Sequence, residues 1–155
     1  MTAPKVAILT GSKSDVPTLE ACVQMLTELG IENELHVMSA PRSPARVQEF
    51  ASPAEQNGFE VIIAAAGMAA HLPGVVAAYT RLPVIGVPIA GSTQSGVNGL
   101  DALLAIVQMP PGVPVACMAI NGAKNAALYA AAILALTHDA VRSALEKFRE
   151  QQASA

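Results

Sequence analysis

Apolar and polar positions along the chain follow two rhythms in turn. Residues 6–9, Val-Ala-Ile-Leu, form a short continuous apolar run that stops at Gly11-Ser12-Lys13-Ser14-Asp15. Beyond that turn Leu19, Cys22, Val23 and Leu26 recur at helical spacing, so the order predicted is strand, loop, helix. Pro17 suits a first helical turn, where its missing N–H would have had no partner. The same order returns at once. Residues 35–38 read as a strand and 39–43 as a loop, and Pro44 opens a helix with Val47, Phe50, Ala51 and Ala54 on one face, which Pro53 kinks or ends. Residues 61–65, apolar on both faces, read as a central parallel strand running into Ala66-Gly67-Met68-Ala69-Ala70-His71-Leu72-Pro73-Gly74 and a third helix. Residues 83–87 give a fourth strand, and the Gly-, Ser-, Thr- and Asn-rich residues 91–99 read as a mobile loop before a helix at 101–107. A fifth strand is expected at 113–118.

Strands alternating with helices at this pace imply an α/β fold with a parallel five-stranded sheet, right-handed crossovers and helices on both faces. The last third departs from the rhythm. Residues 125–136 are Ala- and Leu-rich nearly all the way round, which predicts a helix buried against another subunit. Beyond Thr137, Val141, Ala144, Leu145 and Phe148 line one side of an amphipathic helix, with residues 151–155 expected to fray. No repeat or low-complexity linker divides the chain, so residues 1–155 are read as one domain with 137–155 as its terminal helix and tail.

Composition narrows the class. Of 155 residues, 52% are hydrophobic and only 14% charged, too few charges to coat a monomer in the usual way, so contact with other copies is expected. Tryptophan is absent and aromatics are 3%, leaving small aliphatic side chains that favour close layered packing. A net charge of −3 without a basic run gives nucleic-acid binding little to work with. Cys22 and Cys117 lie far apart in apolar stretches that read as core, which points to a reducing cytosol. The first five residues lack a signal pattern, and Pro and Gly break the apolar stretches short of spanning length, so neither secretion nor membrane insertion is expected.

Ligands of an open parallel sheet bind beyond the carboxyl ends of the strands, which gathers the loops after the first four. Gly11, Ser12 and Ser14 at a helix start offer flexible backbone, hydroxyls and free N–H groups suited to an anion; a capped turn is the plainer alternative. Arg42, one of nine cations, is placed to grip phosphate oxygens, or is a solvated surface arginine. Asp15 is placed to accept from ribose hydroxyls or to cap the helix. His71 is either a proton carrier or a structural histidine with both nitrogens satisfied. His36, in a strand, and His138, in a surface connection, join no catalytic group. No cluster supports a metal, and the Gly-x-x-x-x-Gly-Lys-Ser/Thr and Gly-x-Gly-x-x-Gly phosphate motifs are both missing.

Taken together, these loops resemble those of the PurE family of N5-carboxyaminoimidazole ribonucleotide mutases, class I, from Val6 to about Leu136. Gly11-Ser12-Lys13-Ser14-Asp15 resembles the first family motif, and Gly67-Met68-Ala69-Ala70-His71-Leu72-Pro73-Gly74 its Gly-Gly-Ala-Ala-His-Leu-Pro-Gly core. Leu82-Pro83-Val84-Ile85-Gly86-Val87-Pro88, Asn98-Gly99-Leu100-Asp101, Ile106-Val107-Gln108-Met109-Pro110 and Lys124-Asn125-Ala126 continue the likeness. The resemblance implies a flavodoxin-like three-layer α/β/α sandwich, a cytoplasmic homo-octamer, and transfer of a carboxylate from exocyclic nitrogen to ring carbon without metal or organic cofactor. It implies that Ser12, Ser14, Ser39 and Arg42 hold phosphate, with Gly11 and Ala40 beside them, that Asp15 holds the ribose, and that Gly67, Met68, Ala69 and Leu72 line the place for base and carboxylate. Where the family reads Ser-Ala-His-Arg-Thr-Pro this chain reads Ser39-Ala40-Pro41-Arg42-Ser43-Pro44, so Pro41 stands where the family's catalytic histidine belongs. Met68 replaces a family glycine, and the loop over residues 90–97 is a few residues longer. Three readings stay open: a mutase whose proton is moved by His71 or water, a carboxylase or decarboxylase of another heteroaromatic ribonucleotide, and a non-catalytic nucleotide-binding homologue.

Overall fold

A computed structural model describes residues 3–91 and 97–155. In chain order the elements are β1 (Lys5–Thr10), α1 (Val16–Glu28), β2 (Glu32–Val37), α2 (Pro44–Ala51), β3 (Val61–Gly67), α3 (Leu72–Tyr79), β4 (Val84–Ile89), α4 (Leu100–Val107), β5 (Ala116–Cys117), α5 (Ala123–Leu134) and α6 (Asp139–Ala153). The five strands form one sheet in the order β2-β1-β3-β4-β5, and every pairing is parallel. Consecutive side chains on a strand point to opposite faces, and both faces are covered. Val6 and Ile8 of β1 with Val61, Ile63 and Ala65 of β3 pack against α1 and α5, while Ala7, Leu9, Ile62, Ala64 and Ala66 pack against α2, α3 and α4. This is the flavodoxin-like three-layer α/β/α sandwich, with every residue of β1 beyond Lys5 and of β3 before Gly67 buried.

Glycine and alanine set how closely the layers approach. A Cβ placed on Gly86 of β4 would lie 2.4 Å from Cγ2 of Ile106 and 3.0 Å from Cγ1 of Val115, so α4 seats on the sheet only because that position carries no side chain. In the other layer Ala123, Ala126, Ala127, Ala130 and Ala131 form a buried small-residue face on α5 that lies beside α1. The helix expected to bury itself against another subunit therefore spends one face inside its own chain. Its remaining apolar groups turn outward, with Tyr129 45% exposed and Leu136 just beyond the helix 77% exposed.

Several boundaries differ from the sequence pattern. Strand β2 starts three residues earlier than expected, at Glu32, because an edge strand tolerates polar residues, with Glu32 and Glu34 exposed on one face and Asn33 part-buried on the other. Strand β4 runs two residues further, to Ile89. Strand β5 shrinks to Ala116–Cys117, since Pro114 has no N–H for the ladder. As a result Cys117 is half-buried at the sheet edge rather than core, whereas Cys22 is fully buried and its thiol is pushed up to about 12 by burial. Helix α6 continues through the expected frayed tail to Ala153, where Ser154 donates its N–H to the Glu150 carbonyl at 3.1 Å. Helix α2 does end before Pro53, at Ala51. Most of the loop read as mobile, residues 92–96, lies outside the described residues. No helix among the described residues is long and apolar enough to cross a membrane.

Candidate functional site

The chain reverses its winding between β1 and β3, and at that switch point the loops leaving β1, β2 and β3 diverge at the carboxyl edge of the sheet. They enclose a cleft of ≈ 350 Å³. Gly11, Ser12, Ser14 and Asp15 come to it from β1, Ser39, Ala40, Pro41 and Arg42 from β2, and Gly67, Met68, Ala69, His71 and Leu72 from β3. Every position singled out from the sequence is therefore on one wall or another of the same cavity. Ala66 and Ile89 complete the lining. Ile89 escaped sequence reading because β4 extends two residues past the expected end.

The first loop is a tight hydroxyl-bearing turn. Ser12 sits in extended backbone and its Oγ accepts the Ser14 N–H at 3.3 Å, while the two serine hydroxyls lie 2.8 Å apart. Ser14 Oγ in turn donates to Asp15 Oδ1 at 3.3 Å. Asp15 occupies the position before α1, yet its carboxylate makes no capping bond to the helix, so capping does not account for it. Partial burial raises its pKa above the ordinary value, opposed by hydrogen bonds from Ser14 and Thr10. A half-buried carboxylate already held by hydroxyl donors has further lone pairs suited to neutral hydroxyl groups.

Arg42 ties the second loop to the first. Its Nη2 donates to the Gly11 carbonyl at 2.8 Å, and its backbone N–H reaches Ser39 Oγ at 3.4 Å. The guanidinium makes no other hydrogen bond or ion pair among the described residues, so most of its five donors stay available at the cleft. The loop itself is fixed by Ser43, whose N–H and Oγ both donate to the Ser39 carbonyl, at 2.8 and 2.9 Å, just before Pro44 opens α2. Pro41 is exposed between buried Ala40 and Arg42 and brings no ionisable group.

The third loop carries the apolar half of the cavity. Gly67 closes β3; a Cβ there would come within 3.2 Å of the Ile89 carbonyl oxygen. Met68 follows in left-handed backbone, φ 55°, a conformation natural to glycine and costly for other L-residues. His71 precedes α3 without capping it, is exposed, and makes no ring hydrogen bond among the described residues. The described residues of this chain supply neither ring nitrogen of His71 with a partner. The other two histidines are engaged elsewhere: His36 lies 3.0 Å from Glu34 and packs at a tilt against Phe50, and His138 lies 2.7 Å from Glu60. His138 lies in the connection between α5 and α6, as read from the sequence, and is partly buried there against Glu60.

Asn121, in the loop after β5, was not singled out from the sequence. It takes the Ala90 N–H on its Oδ1 at 2.9 Å and gives its own N–H to the Pro88 carbonyl at 2.8 Å, which clasps the backbone on either side of Ile89.

An all-parallel sheet of this winding, with an anion-suited rim and an apolar floor at its switch point, defines a small-molecule-binding α/β protein. The chain belongs to the family described as AIR carboxylase, which matches residues 5–155. It is 52% identical over 147 residues to the N5-carboxyaminoimidazole ribonucleotide mutase of Pyrococcus abyssi, covering 95% of this chain and 83% of that one. It is 53% identical over 149 residues to the enzyme of the same name from Pseudomonas aeruginosa, covering 95% and 90%. Among solved structures, Treponema denticola PurE superposes with a TM-score of 0.86 at 27% identity, over 97% of this chain and 92% of that one.

Proposed function

We propose that the chain is an N5-carboxyaminoimidazole ribonucleotide mutase of purine biosynthesis, an isomerase that moves a carboxylate from the exocyclic nitrogen of 5-aminoimidazole ribonucleotide to ring carbon 4. The observation that carries the reading is one cleft lined both by Arg42, Ser12, Ser14, Ser39 and Asp15 and by the apolar Pro41, Met68, Leu72 and Ile89. Relatives of that name share about half the residues of nearly the whole chain.

In this reading the 5′-phosphate takes hydrogen bonds from Arg42 and the serine hydroxyls, with Gly11 and Ala40 alongside. Asp15 accepts from the ribose hydroxyls. The base lies along Gly67, Met68, Ala69 and Leu72. The bond from exocyclic nitrogen to carboxylate carbon breaks, carbon dioxide is released into the apolar part, and the nitrogen takes a proton to become the amine. Ring carbon 4 then bonds the carbon dioxide and loses its hydrogen as a proton, so atoms and charge balance without an oxidant. Apolar surroundings favour the neutral gas over the carboxylate from which it came. His71, whose ring nitrogens have no partner among the described residues, carries the proton between nitrogen and carbon, the part that Pro41 leaves open.

Residues 1–155 act as one domain and the protein works in the cytoplasm as a homo-octamer, which would cover the exposed apolar groups Leu100, Leu104 and Val107 of α4 and Tyr129 of α5. Pro41 favours a second reading, a nucleotide-binding homologue without turnover. Purified protein supplied with carboxyaminoimidazole ribonucleotide and followed for carboxylate at ring carbon separates the two. Turnover that His71→Asn abolishes supports the mutase; no turnover, with none gained on Pro41→His, removes it.

A further inference from the structure

Among the described residues lining the cleft, the apolar side chains are unevenly placed. Leu72 and Ile89 are 2% and 5% exposed and belong to the core below, and Ala40, Ala66 and Ala69 are too short to reach across. Gly67 has no room for a longer group, given the Ile89 carbonyl 3.2 Å from its would-be Cβ. Pro41 is a compact ring. Met68 alone is long, flexible, apolar and 44% exposed.

It is also strained. With φ 55°, Met68 holds a left-handed conformation that glycine or asparagine adopts with far less cost, so the fold carries an unfavourable backbone in order to place this side chain here. Strain kept at a cavity wall is a signature of function, and an unbranched thioether adapts its shape to what lies against it. The cleft, at ≈ 350 Å³, is near the small end of ligand sites, so the Cγ, Sδ and Cε atoms of one methionine weigh on what fits.

We propose that Met68 sets the size limit of the apolar part of the cleft, so that the site takes a five-membered heteroaromatic base and turns away a fused bicyclic one. The inference rests on the reading of the cleft as a ribonucleotide site and adds to it a specificity-determining residue. Met68→Ala keeps the strained backbone and removes the side chain; Met68→Gly removes both.

The test is equilibrium binding, independent of turnover, of 5-aminoimidazole ribonucleotide and of a purine ribonucleoside 5′-monophosphate to the full-length wild type and both variants. Wild type is expected to prefer the imidazole nucleotide at least tenfold. Both variants are expected to reduce that preference by about tenfold or more, the scale on which a few apolar atoms discriminate, chiefly by tightening the purine nucleotide. An unchanged preference in both variants, or a wild type that binds the two ligands equally, overturns the size limit while leaving the ribonucleotide site standing. A wild type that binds neither ligand overturns the site itself.

Discussion

Replacing Pro41 by histidine puts an ionisable group back on a cleft wall that has none at that position. Pro41 is exposed, so the substitution removes no core packing. Its structural cost is the loss of a fixed φ in the unfolded chain, about 0.4–1 kcal/mol. In a chain of 155 residues that lowers the melting temperature by about 1–4 °C, measurable but harmless to folding. The chemical effect is larger. A positioned general acid–base group contributes about 10²–10⁴-fold, so if proton transfer limits the native enzyme, Pro41→His raises turnover within that range. Because the new imidazole titrates near its usual pKa of about 6.5, the gain also brings a pH dependence between about pH 5.5 and 7.5 that the parent lacks at this position. Single-turnover measurements with substrate labelled at the carboxylate, read by carbon NMR, resolve both. If Pro41→His binds the ribonucleotide as tightly as the parent yet leaves the rate unchanged across that pH range, residue 41 does not face the reacting atoms and the orientation of the base is wrong.

Two further substitutions probe other parts of the account. Asp15 has a folded pKa raised by burial, so the folded state holds its proton more strongly than the unfolded state between the two values. Ionised Asp15 therefore costs stability at neutral pH, a cost relieved as pH falls through the folded pKa toward the unfolded one. Asp15→Asn is expected to raise the neutral-pH melting temperature and flatten its acid-side pH dependence while weakening ribonucleotide binding; a lower melting temperature at neutral pH would contradict this. Gly86→Ala forces a methyl within 2.4 Å of Ile106 Cγ2 and is expected to destabilise by about 1–3 kcal/mol, measured by urea unfolding. A neutral effect there would mean that α4 is free to lift off the sheet.

The alternation of apolar runs with helical spacing was enough to read five parallel strands and helices on both faces, because a doubly covered sheet leaves continuous apolar segments such as Val61-Ile62-Ile63-Ala64-Ala65. It failed at the edges, where β2 carries Glu32 and Glu34 and β5 is cut short by Pro114, because edge strands answer to solvent and ladder donors rather than to the core. The apolar residues 125–136 predict burial against another subunit, whereas α1 of the same chain takes one face of that helix and the Tyr129 face is left outward. The loops of the cleft were legible from the carboxyl-edge rule and from turn residues. What the sequence could not reveal is orientation. That Asp15 leaves the cap unused, that the His71 ring has no partner among the described residues, that Met68 is left-handed and that Asn121 clasps the backbone around Ile89 are features of the folded loops, which the pattern of apolar and turn residues does not specify.

In the proposed function a phosphate-bearing imidazole ribonucleotide seats at the carboxyl edge of the sheet with Arg42 on its phosphate. Calorimetric titration of the full-length protein with 5-aminoimidazole ribonucleotide and with the matching ribonucleoside, which lacks only the phosphate, tests it directly. The account predicts that the nucleotide binds at least tenfold tighter than the nucleoside, and that Arg42→Ala erases most of that difference, in keeping with about 1.5–3 kcal/mol for a hydrogen-bonded charge. Equal binding of the two ligands, or a difference that survives Arg42→Ala intact, would contradict it.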